Sequence, residues 1–382
     1  MKQTTLKLSV LMLFLLAGST FIIRSSHAQQ QADKSVEQVR KNIQVLKGMP
    51  DSQLIPVMNF ISTSLGVNCA YCHVRVGEDW DFAKDDKPTK ATARKMMLMQ
   101  FEINKNNRDI LGGGVTCYTC HKGQTEPRGL PQLPITPPAN AAAGGPGAGG
   151  PRPPAAALPT VDQVLDKFVQ AIGGKAAFEK LHSREMKGVQ IVAGGTEIPI
   201  EGYQEAPNKI VMIGTVPNLG VNITGYNGTV GWTKNARGQR ELSGALLEQV
   251  KRSADFYGNL RLKETHPDLR VVGRSKIGDH EVYVLQSKVS DTRTERFYFD
   301  AQTGLLLRIQ SITQTLLARI PDQTDFEDYR DVDGVKLPFT IRQSSIDPRS
   351  DWTRKYTEIK HNVTVDESKF NPPPAQATAS PK

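Results

Sequence analysis

The chain holds four cysteines, and all of them fall in two pentapeptides, Cys69-Ala70-Tyr71-Cys72-His73 and Cys117-Tyr118-Thr119-Cys120-His121. Two thiols at this spacing match the distance between a haem's vinyl groups, and a histidine directly after the second thiol lies under the ring, where it binds iron. The residues therefore point to two covalently bound haem c groups. Cys69, Cys72, Cys117 and Cys120 are the attachment points, and His73 and His121 the proximal iron ligands. Three other uses of the same residues compete. A zinc ribbon needs no histidine after each second cysteine and keeps its pairs closer together. Disulfides inside C-x-x-C loops staple little chain. A thioredoxin-like pair belongs in a βαβ context that the flanking residues do not offer.

The other axial ligand is narrowed by elimination. Apart from His27, the residues before the second motif contain no histidine besides His73, so bis-histidine ligation would have to recruit His182, His266, His280 or His361. Methionine is the simpler donor, with Met49 and Met58 before the first motif and Met96, Met97 and Met99 before the second. Core packing is the competing role for each, and at Met58 the residues leave both roles open.

Helices must position these groups. Leu54, Val57, Met58, Ile61 and Leu65 share one face of a helix expected over 51–65, with Asp51 as its N-cap. The turn Leu65-Gly66-Val67-Asn68 then folds the first motif back under Met58. A second helix is expected over 89–104, with Ala93, Met96, Met97, Gln100 and Ile103 defining its faces, before Gly112-Gly113-Gly114 ends the helical stretch.

At the N-terminus, Lys2 and Lys7 precede an apolar run from Leu8 to Ala17 and a small-x-small site at Ser26-His27-Ala28. This is the layout of a signal peptide over 1–28, and it implies an exported, periplasmic protein associated, if at all, with the membrane surface. An uncleaved anchor from Leu8 to Ile23 falls short of the ~20 residues that span a bilayer. Residues 35–125 read as a mainly α di-haem domain and 126–159 as a Pro/Gly/Ala-rich linker that cannot bury a core. Residues 160–372 read as an antiparallel β sheet or open barrel with a helix, and 373–382 as a disordered tail. The helix is expected over 160–172, capped by Thr160 and ended by Gly173-Gly174. Strands are expected over 198–203, 209–213, 231–233, 281–285, 295–299, 305–312 and 335–341, with turns at Asn227-Gly228, Thr303-Gly304 and Asp333-Gly334. The net charge of +9 is dispersed, without the basic and aromatic clusters of a nucleic-acid binder. No G-x-S-x-G, H-E-x-x-H or P-loop sequence occurs, so no hydrolase or nucleotide site is expected.

The residues from Met58 through Ile61-Ser62-Thr63-Ser64-Leu65-Gly66-Val67-Asn68 to the first motif resemble the cytochrome c subunit of photosynthetic reaction centres. The resemblance continues through Arg94-Lys95-Met96-Met97-Leu98-Met99, Ile103-Asn104 and Gly114-Val115-Thr116 to the second motif, Lys122 and Gly123. In that family each such segment is a helix carrying the distal methionine, a turn and the attachment motif. The resemblance thus implies Met58 for the first haem and Met96 for the second, with Met99 as the alternative. Well-known members carry four haems, and this chain has cysteines for two. Residues 158–372 more loosely resemble the lipoprotein-carrier (LolA-type) fold, which implies a lipid or quinone as a ligand. The expected function is an electron carrier rather than an enzyme, exchanging electrons with a redox protein. A di-haem peroxidase, or a lipid- or quinone-binding envelope protein with a haem module, is the alternative.

Overall fold

The computed structural model describes residues 33–77, 79–127, 157–217, 220–236 and 238–373. The expected signal peptide, most of the linker and all but the first residue of the tail lie outside these. Among the described residues no helix is long and apolar enough to cross a membrane.

The N-terminal part runs α1 (Val36–Val39), a 3-10 turn (Asp51–Gln53), α2 (Leu54–Leu65), a 3-10 turn (Cys69–Tyr71), β1 (Val74–Val76), β2 (Asp79–Asp81), α3 (Pro88–Asn106), α4 (Arg108–Leu111) and α5 (Cys117–His121). Asp51 does not cap α2. Its carboxylate is taken by the Arg40 guanidinium in a two-pronged pair at 2.7 and 2.9 Å, and the chain enters α2 through the 3-10 turn instead. α2 ends at Gly66 in the left-handed region, φ +66°, as a C-terminal glycine cap requires. This part is not helical throughout. β1 and β2 form an antiparallel hairpin pairing Val74 with Asp81 and Arg75 with Trp80, in strands too short for a period of two to show in the sequence.

The C-terminal part opens with α6 (Val161–Ala171), where the Thr160 hydroxyl accepts from the Gln163 amide and the Gln163 side chain bonds back, closing a capping box. It continues with α7 (Lys175–Phe178), β3 (Ser183–Val192), β4 (Glu197–Glu205), β5 (Lys209–Val216), β6 (Gly220–Tyr226), β7 (Gly231–Asn235) and β8 (Gly238–Glu241). After α8 (Gly244–Ala254) and α9 (Leu262–Thr265) come β9 (Arg270–Ile277), β10 (His280–Lys288), β11 (Arg293–Asp300), β12 (Leu306–Gln314), β13 (Arg319–Val332), β14 (Val335–Ser345) and β15 (Trp352–His361). These thirteen strands form one antiparallel sheet in the order β8-β7-β6-β5-β4-β3-β15-β14-β13-β12-β11-β10-β9. Consecutive strands pair throughout except β8 and β9, which form the two edges, and one seam joins the first strand of the sheet to the last, Arg184 opposite His361 and Val192 opposite Trp352. Asp333 and Gly334, both at positive φ, make the tight turn between β13 and β14.

One face of the sheet buries α6. Val164, Phe168 and Ile172 pack among Leu285, Phe297, Phe299, Val335 and Phe339, so side chains of the chain itself fill the space over that face. Elsewhere the buried Trp232 donates its indole N–H to the Phe370 carbonyl at 2.9 Å. Its ring lies where any Cβ on Gly225 would stand. A third contact joins the two parts of the chain. Leu317, Ala318 and Ile320, at the β12–β13 turn, are buried in one cluster with Val57, Phe60 and Met97 of the helical part.

The sheet also buries charge. Glu295 on β11 lies 2.9 Å from Arg293 and 3.4 Å from His266. Burial pushes its carboxyl up, but His266, Arg293 and Arg252 outweigh that and hold it down to about 2. A carboxyl lowered in the fold stabilises fully above its ordinary pKa of 4.5 and loses that contribution as pH falls toward about 2. Glu295→Gln is therefore expected to unfold more easily than the parent at neutral pH, with the gap closing across that acid window. Denaturant unfolding followed by circular dichroism at stepped pH checks this, and a gap independent of pH would contradict it.

Candidate haem-attachment sites

The first motif is shaped by its neighbours. The Asn68 carboxamide caps the 3-10 turn by accepting from the Ala70 amide at 3.0 Å. The Ala70 and Tyr71 carbonyls, exposed by that turn, are met by the Lys87 ammonium and by the Thr89 hydroxyl, the latter at 2.6 Å. The start of α3 therefore holds the first motif. Buried Lys90 ties the following loop, donating to the carbonyls of Phe82, Ala83 and Lys84 at 2.9, 3.2 and 2.6 Å.

The second motif is the helix α5. Thr116 and Thr119 cap it reciprocally, and Asn104 clamps the strand leading into it. The Asn104 side chain donates to the Val115 carbonyl at 2.9 Å and accepts from the Val115 amide at 2.7 Å. Gln100, also on α3, donates to the same Val115 carbonyl at 3.0 Å. Thus one helix holds both motifs.

The segments flanking the two motifs also meet through backbone. The Gly123 amide donates to the Ser64 carbonyl at 2.8 Å. Gly66 approaches so closely that a Cβ on it would collide with the Gly123 carbonyl. The glycine that turns the chain into the first motif is thereby pressed against the glycine that leaves the second.

The histidines differ in their surroundings. His121 is buried, and its Nδ1 lies 3.0 Å from the Gln124 carbonyl. Donation to that carbonyl leaves Nε2 as the ligand nitrogen, the arrangement that orients metal-bound histidines. His73 is half-buried, meets Phe82 edge-on with ring centres 5.1 Å apart, and has an Nδ1 that is buried without a hydrogen-bond partner. Burial, with Lys90 nearby, lowers its pKa and favours the neutral imidazole that iron binds. Phe82 stacks on Trp80, and Arg75 lies over the Trp80 ring at 4.8 Å. Cys69 and Cys120 are exposed, and Cys72 and Cys117 are half-buried, with burial pushing the latter two thiols up. Among the described residues no three His, Cys, Asp or Glu side chains converge as a zinc site requires.

The structure sorts the methionines. Met49 and Met97 are buried, 1% and 8% exposed, and pack in the core. Met58 is half-buried at the margin of that core, and Met96 and Met99 are exposed, 39% and 49%. Tyr71, Leu98, Ile110 and Tyr118 are exposed as well. So much uncovered apolar surface around two motifs marks a place for a large apolar group. An orphaned imidazole nitrogen, an oriented imidazole and this surface all fit haem. Sequence reasoning missed the supports Lys87, Thr89 and the Asn104 clamp, because nothing in a lone Thr or Asn reveals which carbonyl it will meet.

The motif pair and the helices that hold it are similar to those of c-type cytochromes. Residues 13–147 match the family model described as photosynthetic reaction centre cytochrome C subunit. Similar curated proteins include the photosynthetic reaction center cytochrome c subunit of Thermochromatium tepidum, 31% identical over 109 residues, which are 28% of this chain and 26% of that protein. Another is cytochrome c-554 of Chloroflexus aurantiacus, 38% identical over 85 residues, 21% of this chain and 20% of that one. The chain thus spans about a quarter of the length of these relatives or less. Among solved structures, a LolA superfamily protein from Nitrosomonas europaea aligns over 56% of this chain and 99% of its own, at 12% identity and a TM-score of 0.39.

Two substitutions test the geometry. Asn104→Ala leaves the Val115 amide without its partner and the Val115 carbonyl with Gln100 alone, and is expected to cost roughly 1–3 kcal/mol. Gly66→Ala adds a Cβ against backbone that cannot yield, at a positive φ, and is expected to cost more than about 1 kcal/mol. Denaturant unfolding measures both, and stability equal to the parent in either variant would refute the corresponding contact.

Proposed function

We propose that the chain is an exported di-haem c-type cytochrome that carries electrons. In this reading Cys69 and Cys72 attach the first haem with His73 as proximal ligand, and Cys117 and Cys120 attach the second with His121. Met58 and Met96 are the distal ligands, and Met99, next on the same exposed face of α3, is the alternative to Met96. The reading also keeps 1–28 as a cleaved signal, a periplasmic location, 35–125 as the di-haem unit, 126–159 as linker and 160–372 as a second domain.

The observation that carries the proposal is the Gly66–Gly123 contact. It brings the turn that enters the first motif against the residues that leave the second, on one scaffold, which is what transfer between two neighbouring centres asks of a protein. Bound haem iron supplies a one-electron centre that cycles between ferric and ferrous, and a methionine sulfur on it raises the potential. The chain's own residues do the rest. Gln124 would hold the His121 ring, Asn104 and Thr116 the helix that carries the second motif, and Lys87 and Thr89 the turn that carries the first. A protein electron donor or acceptor at the membrane surface is the proposed partner, in keeping with the reaction center of which one relative's name makes it a subunit.

Protein purified from a host able to attach haem is expected to contain two c haems per chain by pyridine haemochrome assay and intact mass. A count other than two would overturn the di-haem reading. Met58→Ala and Met96→Ala are each expected to convert one haem from low-spin to high-spin absorption. If Met96→Ala left the spectrum unchanged while Met99→Ala altered it, the second ligand would be Met99.

A further inference from the structure

The β12–β13 turn enters the helical part beside the second motif. Thr315 makes the turn rigid. Its hydroxyl donates to the Ala318 carbonyl at 2.8 Å and accepts from the amides of Leu317 and Ala318 at 3.3 and 3.1 Å. Leu317 is 3% exposed and packs in the cluster that includes Met97 and the half-buried Cys117. Its carbonyl accepts a 2.7 Å bond from the Gln100 amide, the same amide that bonds Val115 at 3.0 Å. The other end of that carboxamide, Oε1, lies 3.9 Å from Cys117 Sγ. Gln100 is 6% exposed, and a buried amide that donates to two carbonyls cannot rearrange without leaving one of them unpaired.

We propose that the sheet domain is a working part of the second haem site: the Thr315–Ala318 turn, acting through the Gln100 carboxamide, positions the Cys117 attachment and sets the potential of that haem alone. The inference rests on the di-haem reading. Gln100 is a positioning residue in it, acting on the attachment cysteine and touching no iron ligand. The sheet is then coupled to one centre of two, so anything that shifts the β12–β13 turn changes the driving force between them. No bond is made or broken in this coupling. It works through packing, water exclusion and the direction of one amide dipole, levers that tune a haem's potential without changing its ligands.

The test is a redox titration of the full haem-loaded chain, with the second haem's wave identified by its loss in the Cys117→Ala/Cys120→Ala double variant. Gln100→Met, similar in size but without the amide, is expected to shift that wave and leave the other in place, at a retained count of two haems. Leu317→Ser, which alters only the sheet side, is expected to move the same wave in the same direction, and it carries the test if Gln100→Met does not accumulate. Two haems with both waves unmoved in both variants would overturn the coupling and leave the di-haem reading standing. Lowered thermal stability with unmoved waves, or equal movement of both, would also overturn it by reducing the contact to ordinary packing. A parent protein without two haems would overturn the di-haem reading and this inference together.

Discussion

Everything in the helical part depends on the close approach of two backbones, Gly66 against Gly123. A side chain at Gly66 would push the α2–Cys69 turn away from the end of α5. Because α3 holds both motifs from the other side, through Lys87 and Thr89 at its start and Asn104 further along, such a push would have to be absorbed by the motifs themselves. Ser64 illustrates how tight the joint is. Its carbonyl is taken by the Gly123 amide, while its hydroxyl is buried with no partner. That exception to the rule that buried polar groups are bonded is one that packing, rather than polarity, maintains at this point.

Much of this was legible in the sequence, for identifiable reasons. The two C-x-x-C-H motifs are set by cofactor chemistry and so survive any context. The α2, α3 and α6 helices have faces wide enough to read at a period of 3.6, and the structure returns them over Leu54–Leu65, Pro88–Asn106 and Val161–Ala171. Six of the seven expected strands fall within observed ones and the seventh, over 305–312, starts one residue before β12, while Thr160 and Gly173-Gly174 bound α6 as expected. The capping role of Asp51 failed because a tertiary partner, Arg40, claimed its carboxylate. The hairpin of β1 and β2 escaped because three residues carry no periodicity. Strands β8, β13 and β15 escaped because polar and charged residues dominate them, and β3, β6 and β9 because glycine and polar residues interrupt their apolar alternation. In β13 the acidic residues lie on a long strand and their carboxylates accept from neighbouring strands, Asp325 from Arg308 and Asp322 from Gln343.

Among the methionines, sequence alone left five candidates, and burial divided them. Met49 and Met97 have the apolar surroundings that make methionine a gap-filler, whereas Met96 and Met99 stand on the outward side of α3 with surface to spare. The distinction could not have come from spacing. Met96 and Met97 are adjacent and equally hydrophobic, and they differ only in which side of the helix the β12–β13 turn covers.

The seam between β3 and β15 gives the chain an order of assembly. Strands adjacent in sequence can zip as hairpins, but β3 must wait for a partner that ends at His361, near the far end of the chain. A pairing of such long sequence separation closes late and slowly. The helices that carry the cysteines, by contrast, meet mostly local partners and are complete in sequence before the sheet begins. The seam thus makes closure of the sheet the step that waits for the last strand, while the helical segments that carry both motifs pair mostly among themselves.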